Sequence, residues 1–510
     1  MDLLGVRFVV KLRSHQPREL RMNSPSYPTL YQVNTRVRLR QLSNKLSRFA
    51  TLDDFPDSEL DKWVNLGFNW VYFLGVWETG ILGRNVSRSH PDWRREYEEL
   101  LSDLQEEDIC GSCFAITRYR VSELLGGNEA LLRLKKRLHQ RGLKLMLDFV
   151  PNHTAPDSPW IEEHPDFYIE ATLNDLQREP LNYMQIPLAG ENRVFAHGRD
   201  PYFPGWPDTL QLNYNNPAVP KAMLAELLKI AQLCDGVRCD MAMLILPEIF
   251  QRTWGMTTEL FWPEAIHQVR KQYQNFVFMA EVYWNMEWRL QQQGFDFTYD
   301  KKLYDRLLEK QADAVVEHLW ADVNYQSKLV RFLENHDEPR AASTFSSSVH
   351  QAAAILTYLC PGLRFFHEGQ LQGWAKKISV HLGRGLEELT DPNLAEFYHQ
   401  LLACLRLPVV QNGTWQLLDY QPAWTDNWTW KNFTAFTWQS DQQRLLIAVN
   451  YSSYSGQCYL QLPFDDLKNR TCQLKDLMSS AYYERQGNEL LSSGLYLDLP
   501  AWGYHVFDFR

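Results

Sequence analysis

Eight short apolar runs, spread at intervals from residue 31 to residue 367 and separated by stretches of helical period, constrain this chain more than any other feature. They fall at 31–37, 70–76, 143–150, 236–240, 276–281, 295–299, 329–334 and 363–367. Apolar runs of this length that alternate with helical stretches mark a parallel sheet whose crossovers are helices. Eight of them predict a closed (β/α)8 barrel. A doubly wound open sheet would show a glycine-rich phosphate turn after its first strand, and here the first run continues into Arg38-Leu39-Arg40-Gln41 instead.

The remaining chain attaches to that barrel. Residues 154–216, rich in Pro, Asn, Asp and aromatics, are too long for an ordinary βα loop and predict a subdomain inserted after the third strand. A helix over 128–141, with Leu131, Leu132, Leu134 and Leu138 on its apolar side, stops at Gly142 before strand three. Beyond about residue 410 the pattern becomes short alternating strands at 433–438, 444–449, 458–462, 495–499 and 503–509, the signature of an antiparallel β-sandwich. The expected organisation is therefore an N-terminal extension with a tendency to disorder (1–30), a catalytic barrel with its insertion (31–410) and a C-terminal β domain (411–510). Residues 1–21 hold five Lys or Arg and two acids, and Met22 follows them directly, which makes it an alternative start. The interrupted apolar patch at the N-terminus reads as neither a signal peptide nor an anchor.

Composition narrows the function. With 45% hydrophobic and 22% charged residues the chain has a globular make-up. Its net charge of −10 argues against nucleic acid or an anionic membrane as partner. No apolar run is long enough to span a bilayer. Eight cysteines in 510 residues form no disulfide framework, and the Cys110/Cys113 pair lacks the second pair a zinc site needs, so a reducing cytoplasm is the expected setting. Aromatic residues make up 13% of the chain; most belong to the core, but such rings also offer platforms to sugars.

Chemistry in a barrel of this kind sits at the C-terminal ends of its strands. Four predicted strands end there in acids: Asp148 before Val150-Pro151-Asn152-His153, Asp240 after Arg238, Glu281 after Ala280, and Asp337 after Glu334-Asn335-His336. An Asp after a strand often caps the next helix. Four such ends accompanied by His153, Arg238 and His336 are not explained by capping. Glycosidic cleavage requires an ionised and a protonated carboxyl side by side. Arg238 and Asp240 leave the same face of their strand, so the guanidinium favours an ionised Asp240, the nucleophile. Glu281 closes the apolar run 276–280, where burial raises its pKa and suits it to act as acid. Asp337 is the third acid, placed to hold substrate hydroxyls.

The segments 148–153 (DFVPNH), 236–240 (GVRCD), 280–284 (AEVYW) and 332–337 (FLENHD) together resemble the signature regions of the alpha-amylase family, glycoside hydrolase family 13. The resemblance covers about residues 31–510 and implies a retaining double displacement on α-glucosidic bonds of α-1,4-glucans or maltooligosaccharides. Asp240 would be the nucleophile, Glu281 the acid/base and Asp337 the transition-state stabiliser. His153, Arg238 and His336 would line the −1 sugar site, with Asp148 a structural acid beneath it. Trp77, Trp206, Tyr283 and Trp284 are the expected sugar-stacking platforms.

The chain also departs from the family. After Asp240 the chain reads Met241-Ala242-Met243-Leu244, where many amylases carry a Lys-His pair that meets the leaving side of the glucan. Leu210-Gln211-Leu212-Asn213 replaces a stretch in which calcium-binding members have an acid. Asn152 could still ligate calcium, but loss of a carboxylate weakens a hard-cation site, and no required cofactor is expected. The segment Gly111-Ser112-Cys113-Phe114-Ala115 replaces a Gly-Tyr motif, so the usual stacking tyrosine has no obvious counterpart. The alternatives to hydrolysis are a transglycosylase on the same site and a catalytically inactive barrel that serves as an interaction module. Oligomeric state is left open.

Overall fold

The structure, a computed structural model, describes residues 25–510, so the reading of residues 1–21 and Met22 lies outside the described residues. Eight parallel strands close into a barrel in chain order: β1 (Thr29–Asn34), β2 (Trp70–Leu74), β3 (Lys144–Phe149), β4 (Gly236–Cys239), β5 (Val277–Ala280), β6 (Phe297–Tyr299), β7 (Leu329–Arg331) and β8 (Leu363–His367). Strands such as β2 and β8 are buried at every position, as parallel strands covered on both faces must be. Seven of the eight predicted runs contain one of them, and the first overlaps β1 without containing it. The first is displaced: Thr35 already opens the helix Thr35–Leu46, whose buried Thr35, Leu39 and Leu42 follow helical spacing. The helix before β3 spans Gly127–His139, and Leu132 is exposed rather than on its apolar face. One residue beyond the buried Leu131 is a turn of 100° away.

Two excursions rise from the C-terminal rim. After β3, His153–Thr154 pairs with Leu210–Gln211, and Glu191–Ala196 lies between Tyr183–Leu188 and Glu170–Ala171 in a small antiparallel sheet. The other, after β2, was not legible in the sequence. It is a bulged hairpin of Trp77–Thr79 with Ile116–Val121 that encloses the helices Ile81–Ser89 and Pro91–Leu100. The chain after β8 locks onto it: Cys110 and Gly111 N–H donate to the His381 carbonyl at 2.8 and 3.1 Å, and Gly383 N–H to Asp108 at 2.8 Å. Arg384 pairs with Asp108 at 2.7 Å.

The C-terminal part is antiparallel throughout, a six-stranded sheet facing a three-stranded one. Phe433, Leu446, Cys458, Leu460 and Phe507 are among the residues that fill the space between them. Beyond the five expected strands it contains Thr414–Leu417, Tyr420–Pro422, Thr471–Asp476 and Tyr482–Gln486. The last of these is mostly exposed and so lacks the apolar alternation that betrays a strand. Trp438 donates its indole N–H to Leu359 at 2.7 Å and Tyr451 its hydroxyl to Leu307 at 2.7 Å, which fastens this part to the barrel. Among the described residues no helix is long and apolar enough to cross a membrane.

Beneath the rim, Asp300 at the end of β6 is buried and accepts from Arg331 of β7, from His318 at 3.0 Å and from the Leu303 N–H at 3.1 Å. Burial alone would raise its pKa, but His318 and Arg331 hold it at about 2. Its ionised form therefore stabilises the fold fully above about pH 4 and stops doing so as pH falls towards 2. Asp300→Ala leaves the Arg331 charge buried with no carboxylate. It is expected to lower the stability of the barrel transition in urea by about 3–5 kcal/mol at pH 7, and an unchanged midpoint would contradict this.

Candidate active site

The site is assembled from register. Arg238 on β4 lies opposite Asp148 of β3 and Met279 of β5, and Cys239 opposite Ala280, so Asp240 and Glu281 emerge side by side just past the strand ends. The Arg238 side chain is 1% exposed. One terminal nitrogen lies 2.5 Å from Asp240 Oδ1; the other lies 2.6 Å from Glu281 Oε2 and 3.9 Å from Asp337 Oδ2. Burial works against its charge, yet Glu281 and Asp240 keep its pKa well above the usual guanidinium value.

The carboxylates around it differ in environment. Asp240 is buried and its backbone N–H donates to Phe149 at 2.8 Å. Glu281 Oε2 also accepts from the Met241 N–H at 2.8 Å, a bond aimed by the left-handed backbone of Met241 at φ 41°. Its Oε1 accepts from the Tyr283 hydroxyl at 2.9 Å. Burial, helped by the negative charges of Asp240 and Asp337 and opposed by Arg238, pushes the Glu281 carboxyl up to about 8. With Oε2 engaged by two donors, the proton of the neutral form belongs on Oε1. Asp337, with 40% of its side chain exposed, is the acid open to solvent.

Supporting residues fix these acids. His336 Nε2 lies 3.0 Å from Asp337 Oδ2, while Gln32 Nε2 donates to Nδ1 at 2.9 Å. Burial pushes the His336 imidazole down to about 4, so it is neutral at pH 7. Asp148 accepts from the Tyr72 hydroxyl and from the Gly75 N–H at 2.9 Å, and burial raises it to about 6 despite Arg238. It stands below the site, as a structural acid would. His153 is buried, its pKa lowered by desolvation, and its ring centre lies 5.2 Å from that of Trp206.

Not every expected sugar contact reaches the cleft. Trp77 is 1% exposed and spends its indole N–H on the Asp148 carbonyl at 2.8 Å; it packs under the site and presents no face to a sugar. Tyr283 holds Glu281, and Trp284, at φ 61°, packs edge-on against Tyr202 at 5.0 Å. Two contributors were missed in the sequence. Phe114 lies 5.3 Å from the His336 ring and under the Arg238 guanidinium at 5.0 Å. It is the aromatic that the Gly111–Ala115 segment supplies where a tyrosine was sought. Gln32, on β1, carries no motif at all.

A cation and three acids at the mouth of a (β/α)8 barrel, two of the acids paired to the cation and one of these with its pKa raised by burial, are the equipment of an enzyme class that cleaves or transfers glycosyl groups. A family model described as alpha amylase, catalytic domain, matches residues 114–400, and the chain belongs to that family. Alpha-amylase 3 of Dictyoglomus thermophilum is 22% identical over 279 residues, 49% of this chain and 52% of its own length. A trehalose synthase of Pimelobacter sp. is 28% identical over 160 residues, 27% and 25% of the two chains. This chain thus spans about half the length, or less, of these curated relatives. The maltogenic alpha-amylase AmyB of Thermotoga neapolitana shares the fold at a TM-score of 0.67 and 16% identity, over 95% of this chain and 98% of that one.

The raised Glu281 pKa can be read without substrate. Infrared difference spectra of wild type against Glu281→Gln should show a protonated carboxyl at pH 6 that ionises through about pH 8; a carboxylate already formed at pH 6 would contradict the site described.

Proposed function

We propose that the protein acts on α-glucosidic bonds of α-1,4-glucans or maltooligosaccharides by a retaining double displacement, with net hydrolysis. The observation that carries this reading is the shared guanidinium: Arg238 holds Asp240 and Glu281 together while burial keeps Glu281 protonated. Two carboxyls held close on one cation suit the retaining spacing of about 5–5.5 Å better than the wider gap an inverting water needs. Asp240 attacks the anomeric carbon and forms a glycosyl ester as Glu281 gives its Oε1 proton to the departing oxygen. Glu281, now ionised, takes a proton from the incoming water, whose oxygen displaces Asp240. Asp337, beside His336, holds sugar hydroxyls as positive charge develops at the ring. A glucan or oligosaccharide is the partner in this reading, and the eight free cysteines favour a cytoplasmic setting.

The second reading replaces that water by a sugar hydroxyl. Its support is aromatic surface near the insertion: Tyr202, exposed and edge-on against Trp284 at 5.0 Å, and Trp206 beside His153 offer faces to a second sugar where the Lys-His pair is absent. The trehalose synthase relative is consistent with it.

Asp240→Asn is expected to lower kcat on maltooligosaccharides by about 10³-fold or more with the fold intact; full activity would overturn the mechanism. On one pure maltooligosaccharide, shorter products alone fit net hydrolysis. Longer oligomers or a rearranged disaccharide in quantity would overturn hydrolysis in favour of transfer.

A further inference from the structure

The insertion after β3 meets the barrel through the pair His153–Thr154 and Leu210–Gln211, in which Gln211 lies directly opposite His153. Gln211 and Asn152 are both completely buried. Their amides bond reciprocally: Asn152 Nδ2 donates to Gln211 Oε1 at 3.1 Å, and Gln211 Nε2 donates to Asn152 Oδ1 at 3.0 Å. The same nitrogen lies 3.0 Å from the backbone oxygens of Asn152 and of Leu212. Three oxygens thus converge on one NH2 group.

Backbone and amide oxygens gathered around a positive centre are what a calcium ion requires, and Gln211 lies in the stretch Leu210-Gln211-Leu212-Asn213, in which calcium-binding members of the resembled family have an acid. Here the residues do not fit the ion. The centre is taken by N–H donors, which a cation repels, and the one remaining amide oxygen, Oε1, already accepts from Asn152. Among the described residues no group of three His, Cys, Asp or Glu side chains is arranged to hold a metal. The NH2 instead brings partial positive charge to the same oxygens and needs no loading; its two hydrogens, with the Leu212 N–H that donates to the Asn152 carbonyl at 3.1 Å, give each of the three oxygens a donor.

We propose that the Gln211 amide takes the place of a structural calcium ion at the junction of barrel and insertion. Gln211 is a positioning residue: it holds Asn152, and through Asn152 the adjoining His153, whose imidazole stands beside Trp206 at the mouth of the barrel. The fold and its activity are then independent of calcium. This rests on the junction's own hydrogen bonds, so it can stand or fall apart from the reaction assigned above.

The test uses the full chain. Chelator-treated wild type is expected to melt within about 1 °C of protein in millimolar calcium and to show no calcium heat in titration calorimetry; a chelator-induced drop of about 5 °C or more that calcium reverses would overturn the proposal. Gln211→Asp removes the donors and, one methylene shorter, leaves room for a cation beside a carboxylate. Without calcium it should melt lower by about 5 °C or more and lose kcat about tenfold, and calcium but not magnesium should restore both. Gln211→Leu should show the same losses with no response to calcium. An Asp variant that keeps wild-type melting and kcat in chelator, or whose losses calcium leaves unchanged, would contradict the surrogate role. The wild-type arm decides the calcium question whether or not either variant folds.

Discussion

A fully buried guanidinium is expensive to remove from water, by several kcal/mol, and Arg238 can occupy the barrel axis only because carboxylates meet it there. That requirement orders the rest of the site. Asp240 must follow two residues after Arg238 on the same face of β4, and Glu281 must leave β5 in the neighbouring register. Once they do, one cation serves two acids and cannot neutralise both in a dry setting. The deficit falls on Glu281, which is buried and whose neighbours Asp240 and Asp337 are negative, so its pKa is raised despite Arg238. The division of labour proposed between attacking carboxylate and acid is in this sense an electrostatic consequence of a single arginine.

The surroundings keep that arrangement in place with uncharged groups. His336 is neutral and held from behind by Gln32; Glu281 is fixed by a backbone N–H and a phenol; Asp148 is clasped by Tyr72 and Gly75. The Gln211–Asn152 pair extends the same principle to the junction with the insertion. Each donor satisfies a buried acceptor without adding a net charge that would compete with Arg238 for the carboxylates.

The barrel was legible because its strands are buried on both faces and so appear as largely apolar runs; β2 is the plainest case. Asp240 and Glu281 were legible because they follow such runs directly. What escaped reading depends on contacts between distant segments. Phe114 enters the site from an excursion with no periodic signal, Gln32 becomes relevant only when β1 closes against β8, and the strand Tyr482–Gln486 is too exposed to carry a pattern. Trp77 shows the opposite error. A tryptophan beside a strand end suggests a sugar platform, but the Asp148 carbonyl needed a donor, and the indole supplies it from below.

The central claim is that Asp240, and not another acid of the cluster, forms the bond to the sugar. Incubation with a 5-fluoro-α-glucosyl fluoride, which forms the glycosyl ester faster than water releases it, followed by peptide mass mapping, tests this directly. The account predicts one fluoroglucosyl adduct per chain on the peptide that contains Asp240, with fragment ions placing it on that residue. An adduct on Glu281 or Asp337, or steady turnover of the reagent with no adduct at all, would contradict it.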